Sequence, residues 1–113
     1  MNKVSAVYGE VKEETYDEFK LRYKGFGETF YMLMEKKMPE IFSELKLYVG
    51  VVYQTEDSYA LYDSSGKSFV IQLDPYQVII IWDDKKHYEF GEWDENAEEN
   101  AIKCIEREFL LKE

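Results

Sequence analysis

His87 is the only histidine and Cys104 the only cysteine among the 113 residues. Nucleophilic or metal chemistry would therefore have to be assembled from these two, a few serines and an excess of carboxylates, and none of the spacings supports it. His87, flanked by Lys85 and Lys86, reads as an exposed residue at a strand start, with no second histidine to complete a zinc site. Cys104 shares what reads as the apolar face of a helix with Ala101 and Ile105, where a thiol is desolvated and inert. A nucleophile relay from Ser64 or Ser65 would need His87 and a carboxylate in register, which nothing in the sequence arranges. Gly66-Lys67-Ser68 ends like a phosphate-binding loop, but Leu61 stands where the first glycine belongs, and a strand follows rather than a helix. The segment reads instead as a hairpin turn in which Gly66 takes a positive φ. Asp94-Glu95-Asn96 opens like a calcium loop, yet Glu99 stands where glycine is needed and Ile105 where a bidentate Glu is needed. Glu13 with Glu14, and Asp83 with Asp84, fall at element ends where solvation is the default, so neither pair is set up for general acid and base work. The expectation is a chain with no catalytic residue, no metal and no cofactor, hence not an enzyme.

Charge is the more informative signal. Twenty-four acids against fourteen bases give a net charge of -10, which repels nucleic acids and anionic membranes and favours cationic partners. The excess is concentrated: between Tyr88 and Ile102 lie Glu89, Glu92, Asp94, Glu95, Glu98 and Glu99 and no Lys or Arg, with Phe90 and Trp93 threaded among them. Carboxylates without interspersed cations repel one another, and a partner that supplies Lys and Arg relieves this. Trp93, between Glu92 and Asp94, has nothing apolar adjacent to hide it. Two readings of it stay open, a ring folded back to cap the core and an interface anchor surrounded by carboxylates.

The elements that must position these residues follow from hydrophobic periodicity. Residues 4–8 (VSAVY) fit a short strand or an extended lead-in. From Glu13 to about Lys37, Tyr16, Phe19, Tyr23, Phe26, Phe30, Leu33 and Met34 recur at spacings of three and four, the helix period, interrupted by Gly25 and Gly27. One bent helix or two consecutive helices would both fit. Pro39 suits the first turn of a further short helix over PEIFSEL. Strands then replace helices: residues 46–54 and 58–63 around a turn at Thr55-Glu56-Asp57, then 68–73, 77–83 and 86–90. Connections this short require antiparallel neighbours. Val78 to Trp82 is apolar at consecutive positions and reads as a central strand covered on both faces, while residues 59–63 alternate and read as nearer an edge. Trp82 is assigned to the core by its apolar neighbours. The last helix has Asn96 and Glu99 as a candidate capping box, an acidic first turn, and a stripe of Ala101, Ile102, Ile105 and Phe109. Met32, Met34 and Met38 at helical spacing read as core or as a soft packing surface.

These elements make one α+β domain over residues 1–113. It comprises an N-terminal helical region, an antiparallel meander of four or five strands, and a C-terminal amphipathic helix packed on the sheet. At this length folding buries roughly 65% of the unfolded chain's surface, enough for a core without disulfides. A single cysteine fits a reducing cytoplasm, and neither a signal peptide nor a membrane-spanning run is read in the sequence.

The segment from Tyr76 to Leu111, an apolar strand followed by EFGEWDENAEENAIKCIEREFL, resembles the small acidic immunity proteins of bacterial polymorphic-toxin and contact-dependent inhibition systems. The resemblance implies cytoplasmic expression, no catalysis, and tight binding to a cognate toxin domain, often a basic nuclease, with the carboxylates imitating phosphate. The partner-binding residues expected on this reading are Glu89, Glu92, Trp93, Asp94 and Glu95. An acidic secretion chaperone, with a Met-lined groove and a dimeric state, or a phage or regulatory protein-binding domain, is the alternative. A second copy of the chain is a further partner compatible with either.

Overall fold

The computed structural model describes residues 11–22, 25–52, 55–64, 66–74 and 76–110. The expected lead-in strand at residues 4–8, with Tyr23, Ser65 and Leu111, lies outside them. The chain runs β1 (Val11–Glu14), α1 (Tyr16–Arg22), α2 (Phe26–Lys37), α3 (Pro39–Ser43), β2 (Lys46–Val52), β3 (Thr55–Ser64), β4 (Lys67–Leu73), β5 (Ile79–Trp82), β6 (His87–Phe90) and α4 (Ala97–Cys104). The last helix continues as a π-helical turn over Ile105–Leu110. All six strands form one sheet in sequence order, each antiparallel to the next. The α+β reading holds, with a six-stranded meander where four or five strands were expected.

The additional strand is β1, which pairs Val11 with Gly50 and Glu14 with Leu47 at the edge of the sheet. Glu13 and Glu14 were assigned to the start of a helix. The helix begins instead at Tyr16, because Thr15 and Glu18 form a capping box. The amide of Glu18 donates to Thr15 Oγ1 at 3.1 Å, and the amide of Thr15 donates to Glu18 Oε1 at 3.0 Å. Those hydrogen bonds hold the Glu18 carboxyl below its ordinary pKa. The helical region is two helices, α1 and α2, with Gly25 at a φ of +82° between them. Gly27 is accommodated inside α2.

Side-chain alternation divides the sheet into two apolar faces. One face, with Leu47, Ala60, Tyr62, Phe69, Ile71, Leu73, Ile79 and Ile81, packs against Phe19, Phe30, Tyr31 and Met34 of the N-terminal helices and Ala101, Ile102, Cys104, Ile105 and Phe109 of the C-terminal one. On the other, Tyr48, Tyr59, Leu61 and Val70 form a second cluster, joined by Val11 and Trp82. The Trp82 indole N–H donates to Gln72 Oε1 at 3.3 Å, and Gln72 Nε2 donates to Asp57 Oδ2 at 2.8 Å, so these three side chains form one hydrogen-bonded chain.

Several assignments change as a result. Thr55-Glu56-Asp57 is the start of β3, not a turn. β3 is interior, paired to β2 and β4, and not near an edge. The strands covered on both faces are β3, buried from Asp57 through Tyr62, and β4, buried from Phe69 through Leu73. β5, flanked by the short edge strand β6, alternates between buried Ile79 and Ile81 and half-buried Ile80 and Trp82. An apolar run alone could not distinguish β4 from β5, since cover is decided by the neighbours. Gly66 takes the expected left-handed φ, at +77°, in the β3–β4 turn.

Docking of the C-terminal helix is the long-range contact that matters for the site. The Phe109 ring packs on Phe69 at 5.3 Å and edge-on to Tyr88 at 6.0 Å, with the Lys86 ammonium 5.1 Å above it. Lys86 also donates to the Glu108 carbonyl and Lys67 to the Leu110 carbonyl, placing two cations on the negative end of the helix. Tyr88 Oη donates to Glu108 Oε1 at 3.0 Å and Arg107 Nε to Glu108 Oε2 at 2.9 Å. These bonds, the Arg107 one first, hold the Glu108 carboxyl below its ordinary pKa. Replacing Phe109→Ala should lower unfolding free energy by about 3–5 kcal/mol in urea denaturation, and Phe109→Leu by clearly less.

Candidate functional site

Between β6 and α4 the chain makes a tight turn closed at both ends by one residue. The Asp94 amide donates to the Gly91 carbonyl at 2.9 Å, and the Gly91 amide donates to Asp94 Oδ2 at 3.0 Å. The Asp94 carboxylate therefore has a backbone donor inside its own turn. Asn96 stands at the helix start without a side-chain capping bond, so the capping box expected with Glu99 does not form. The Asn96 carbonyl simply accepts the first helical bond, from the Asn100 amide.

Trp93 is 65% exposed. Of its two readings, the ring folded over the core is not adopted. The indole lies instead against the backbone of Gly91, where a Cβ would stand 2.6 Å from Cζ3 and 2.7 Å from Cη2. Glycine at 91 therefore allows an otherwise unsupported ring to lie flat on the turn. A second exposed aromatic, Tyr76, is 72% exposed in the β4–β5 loop. That loop is held by Asp74 Oδ1, which accepts from the amides of Tyr76 at 2.8 Å and Val78 at 3.2 Å.

Beside the turn lies an open cavity of about 370 Å³ lined by Glu92, Asp94, Glu95, Glu98 and Glu99, with Leu33 from α2 and Gln77 from the β4–β5 loop; no Lys or Arg is among the described lining residues. Four of the six carboxylates between Tyr88 and Ile102 were weighed for partner binding, and the structure separates them. Glu92, Asp94 and Glu95 line the cavity, whereas Glu89 projects from β6 with His87 Nε2 3.5 Å from its Oε2. Glu98 and Glu99, set aside as first-turn helix residues, line the cavity as well.

Glu98 was the member hardest to recognise. Its Oε1 accepts from Thr29 Oγ1 at 3.3 Å, across 69 residues of sequence, and ties α4 to α2. Burial pushes its carboxyl above the ordinary 4.5, partly offset by the Thr29 hydroxyl. No local pattern signals such a contact; the acidic first turn of an isolated helix looks the same.

The other candidates for chemistry do not converge. Cys104 is buried, and burial pushes its thiol up to about 11, which keeps it protonated. His87 is exposed on β6. Among the described residues no three His, Cys, Asp or Glu side chains are grouped to hold a metal ion, and no helix is long and apolar enough to cross a membrane. Of Met32, Met34 and Met38, the last two are in the core and Met32 is 55% exposed. No family model, curated protein or solved structure matches the chain.

Two outcomes test this geometry. Gly91→Ala should displace the Trp93 indole, moving one of the two tryptophan resonances in a fluorotryptophan NMR spectrum while changing stability by less than about 1 kcal/mol, because a side-chain ring can swing away. For Glu98, the folded state holds the proton more tightly than the unfolded chain. Ionised Glu98 is therefore a cost at pH 7, a cost removed as pH falls toward 4.5. Glu98→Gln should be more stable than the parent at pH 7, with the advantage shrinking over that descent in urea titrations.

Proposed function

We propose that the chain is a protein-binding module that engages a basic protein surface through the β6–α4 turn. The observation that carries the reading is Trp93, a large ring with most of its surface in water, on the turn whose neighbouring residues line a cavity with five carboxylates and no cation in its described lining. An exposed tryptophan beside uncompensated negative charge suits a partner that brings an apolar pocket ringed by Lys and Arg. The ring supplies desolvated contact area, and the charges steer encounter and fix register. Glu92, Glu95 and Glu99, all exposed, are the cavity carboxylates free for this among the described contacts. Asp94 shapes the turn and Glu98 ties α4 to α2, while Glu89, on the strand, extends the negative surface.

A bacterial toxin domain, in particular a nuclease whose basic cleft normally holds phosphates, is the partner class this surface fits best, with the chain acting as its immunity protein. The alternative of a secretion chaperone gathers less support, because Met34 and Met38 are buried and Met32 is the one exposed methionine among the described residues.

The test is retention of a partner from the native cell on immobilised chain, identification of that partner, and calorimetry with the purified pair. The partner should be basic, and its affinity should fall as salt rises. Trp93→Ala should weaken binding by about 30-fold or more, the scale of a hot-spot loss. The pair Glu92→Lys and Glu95→Lys should weaken it at least as much, chiefly by slowing association. Parental affinity in both variants would remove the assignment.

A further inference from the structure

β6 ends the sheet opposite β1, and no described strand pairs with its outer edge. The Asp83 amide donates to the Lys86 carbonyl at 3.0 Å, which makes 83 with 86 a hydrogen-bonded pair of the β5–β6 ladder. In an antiparallel ladder such pairs alternate with pairs whose backbone groups point away from each other. Ile81 with Tyr88 and Ile79 with Phe90 are therefore bonded, and the N–H and C=O of His87 and Glu89 face outward. Among the described residues no backbone bond reaches these four groups. The His87 and Glu89 side chains, 66% and 49% exposed, stand on the same sheet face.

We propose that two copies of this chain join edge to edge along β6, antiparallel about a two-fold axis at Tyr88, so that their sheets become continuous. The geometry selects this register over its neighbours. Pairing His87 with Glu89 of the second copy uses all eight outward groups of the two edges, in four hydrogen bonds. A shift toward the strand start would set Lys85 opposite Glu89, but the Lys85 amide is already bound to Asp83 Oδ1 at 2.8 Å. A shift the other way would set Gly91 opposite His87 and Glu89 opposite itself. Gly91 already exchanges hydrogen bonds with Asp94 at both its amide and its carbonyl. The selected register alone leaves the committed groups undisturbed.

Charge favours the same arrangement. Exposed edges are commonly guarded by like charges. Here Lys85 and His87 begin the edge and Glu89 ends it, so an antiparallel copy sets His87 of one strand opposite Glu89 of the other. A two-fold contact repeats each complementary pair. A strand donated by an unrelated protein would pair with the same backbone, but nothing else on the edge specifies its sequence, whereas the copy's own sequence is complementary.

This inference shares Glu89 with the surface of the proposed function but does not rest on that reading, and salt separates the two. Each copy carries -10, so the copies repel at long range, and association should strengthen as the screening length falls from about 10 Å at 0.1 M to about 3 Å at 1 M salt. Binding of a basic partner should weaken over the same range.

The experiment is analytical ultracentrifugation of the full chain across a concentration series at both salts, with circular dichroism to verify folding of each variant. The parent should pass from 13.5 kDa to twice that mass, and His87→Pro should remain a monomer. Proline costs no β5 hydrogen bond at 87, because that N–H faces outward. His87→Glu alone lines the seam with four carboxylates and Glu89→Lys alone makes it wholly basic. Each should weaken the dimer by about tenfold or more, and the double exchange should restore it. A parent that stays monomeric at every concentration and salt, a dimer indifferent to His87→Pro, or a protein that associates only with an added foreign strand would each overturn the proposal.

Discussion

The docking of the C-terminal helix across β4, β5 and β6 is the contact on which the candidate surface depends. Phe109 wedges between Phe69 and Tyr88. Lys67 and Lys86, each from a different hairpin, hold the carbonyls of the π-helical turn. With that end pinned, the start of α4 is left directly after β6, and the few residues between them must turn sharply. Gly91 and Asp94 close the turn, Trp93 is left outside it, and Glu98 reaches Thr29 on α2. The cavity lies where the start of α4 meets α2 and the β4–β5 loop, beside the Glu98–Thr29 hydrogen bond.

The acidic excess serves two separate purposes. Part of it is structural: Asp74, Asp83 and Asp94 each accept backbone amides within a tight connection, and Glu18 closes a capping box. Short carboxylates suit this work because they reach amides two to four residues away and substitute for a missing backbone acceptor. Glu108 is likewise occupied, between Tyr88 and Arg107. Exposed Glu92, Glu95 and Glu99 have no such employment among the described contacts, and they lie together beside Trp93. A repulsive cluster with no local compensation costs stability, and the relief of that cost by a cationic partner is a source of binding energy.

The two ends of the sheet differ in the same spirit. β1 leads straight into the capped helix α1, whereas β6 presents a short edge with both charge signs in antiparallel order. An open meander always leaves two edges, and side-chain chemistry decides whether an edge is closed to pairing or specific for one partner.

Much of this architecture was readable one residue at a time. The three- and four-residue spacings of α1, α2 and α4, the proline that opens α3, the positive φ at Gly66 and the antiparallel order of the strands all follow from local stereochemistry and short connections. The same local view misplaced Glu13 and Glu14 because four residues of mixed polarity carry too little period to announce a strand. It also exchanged the environments of β3 and β5, because alternation reports polarity along one strand and is silent about what lies across the sheet. Composition and periodicity determined an acidic α+β chain with its negative charge gathered before the last helix. Whether Trp93 would fold inward, which carboxylates would share a cavity, and that Glu98 would meet Thr29 were decided only when helix and sheet packed. Those outcomes depend on distances between residues far apart in sequence, which no local preference encodes.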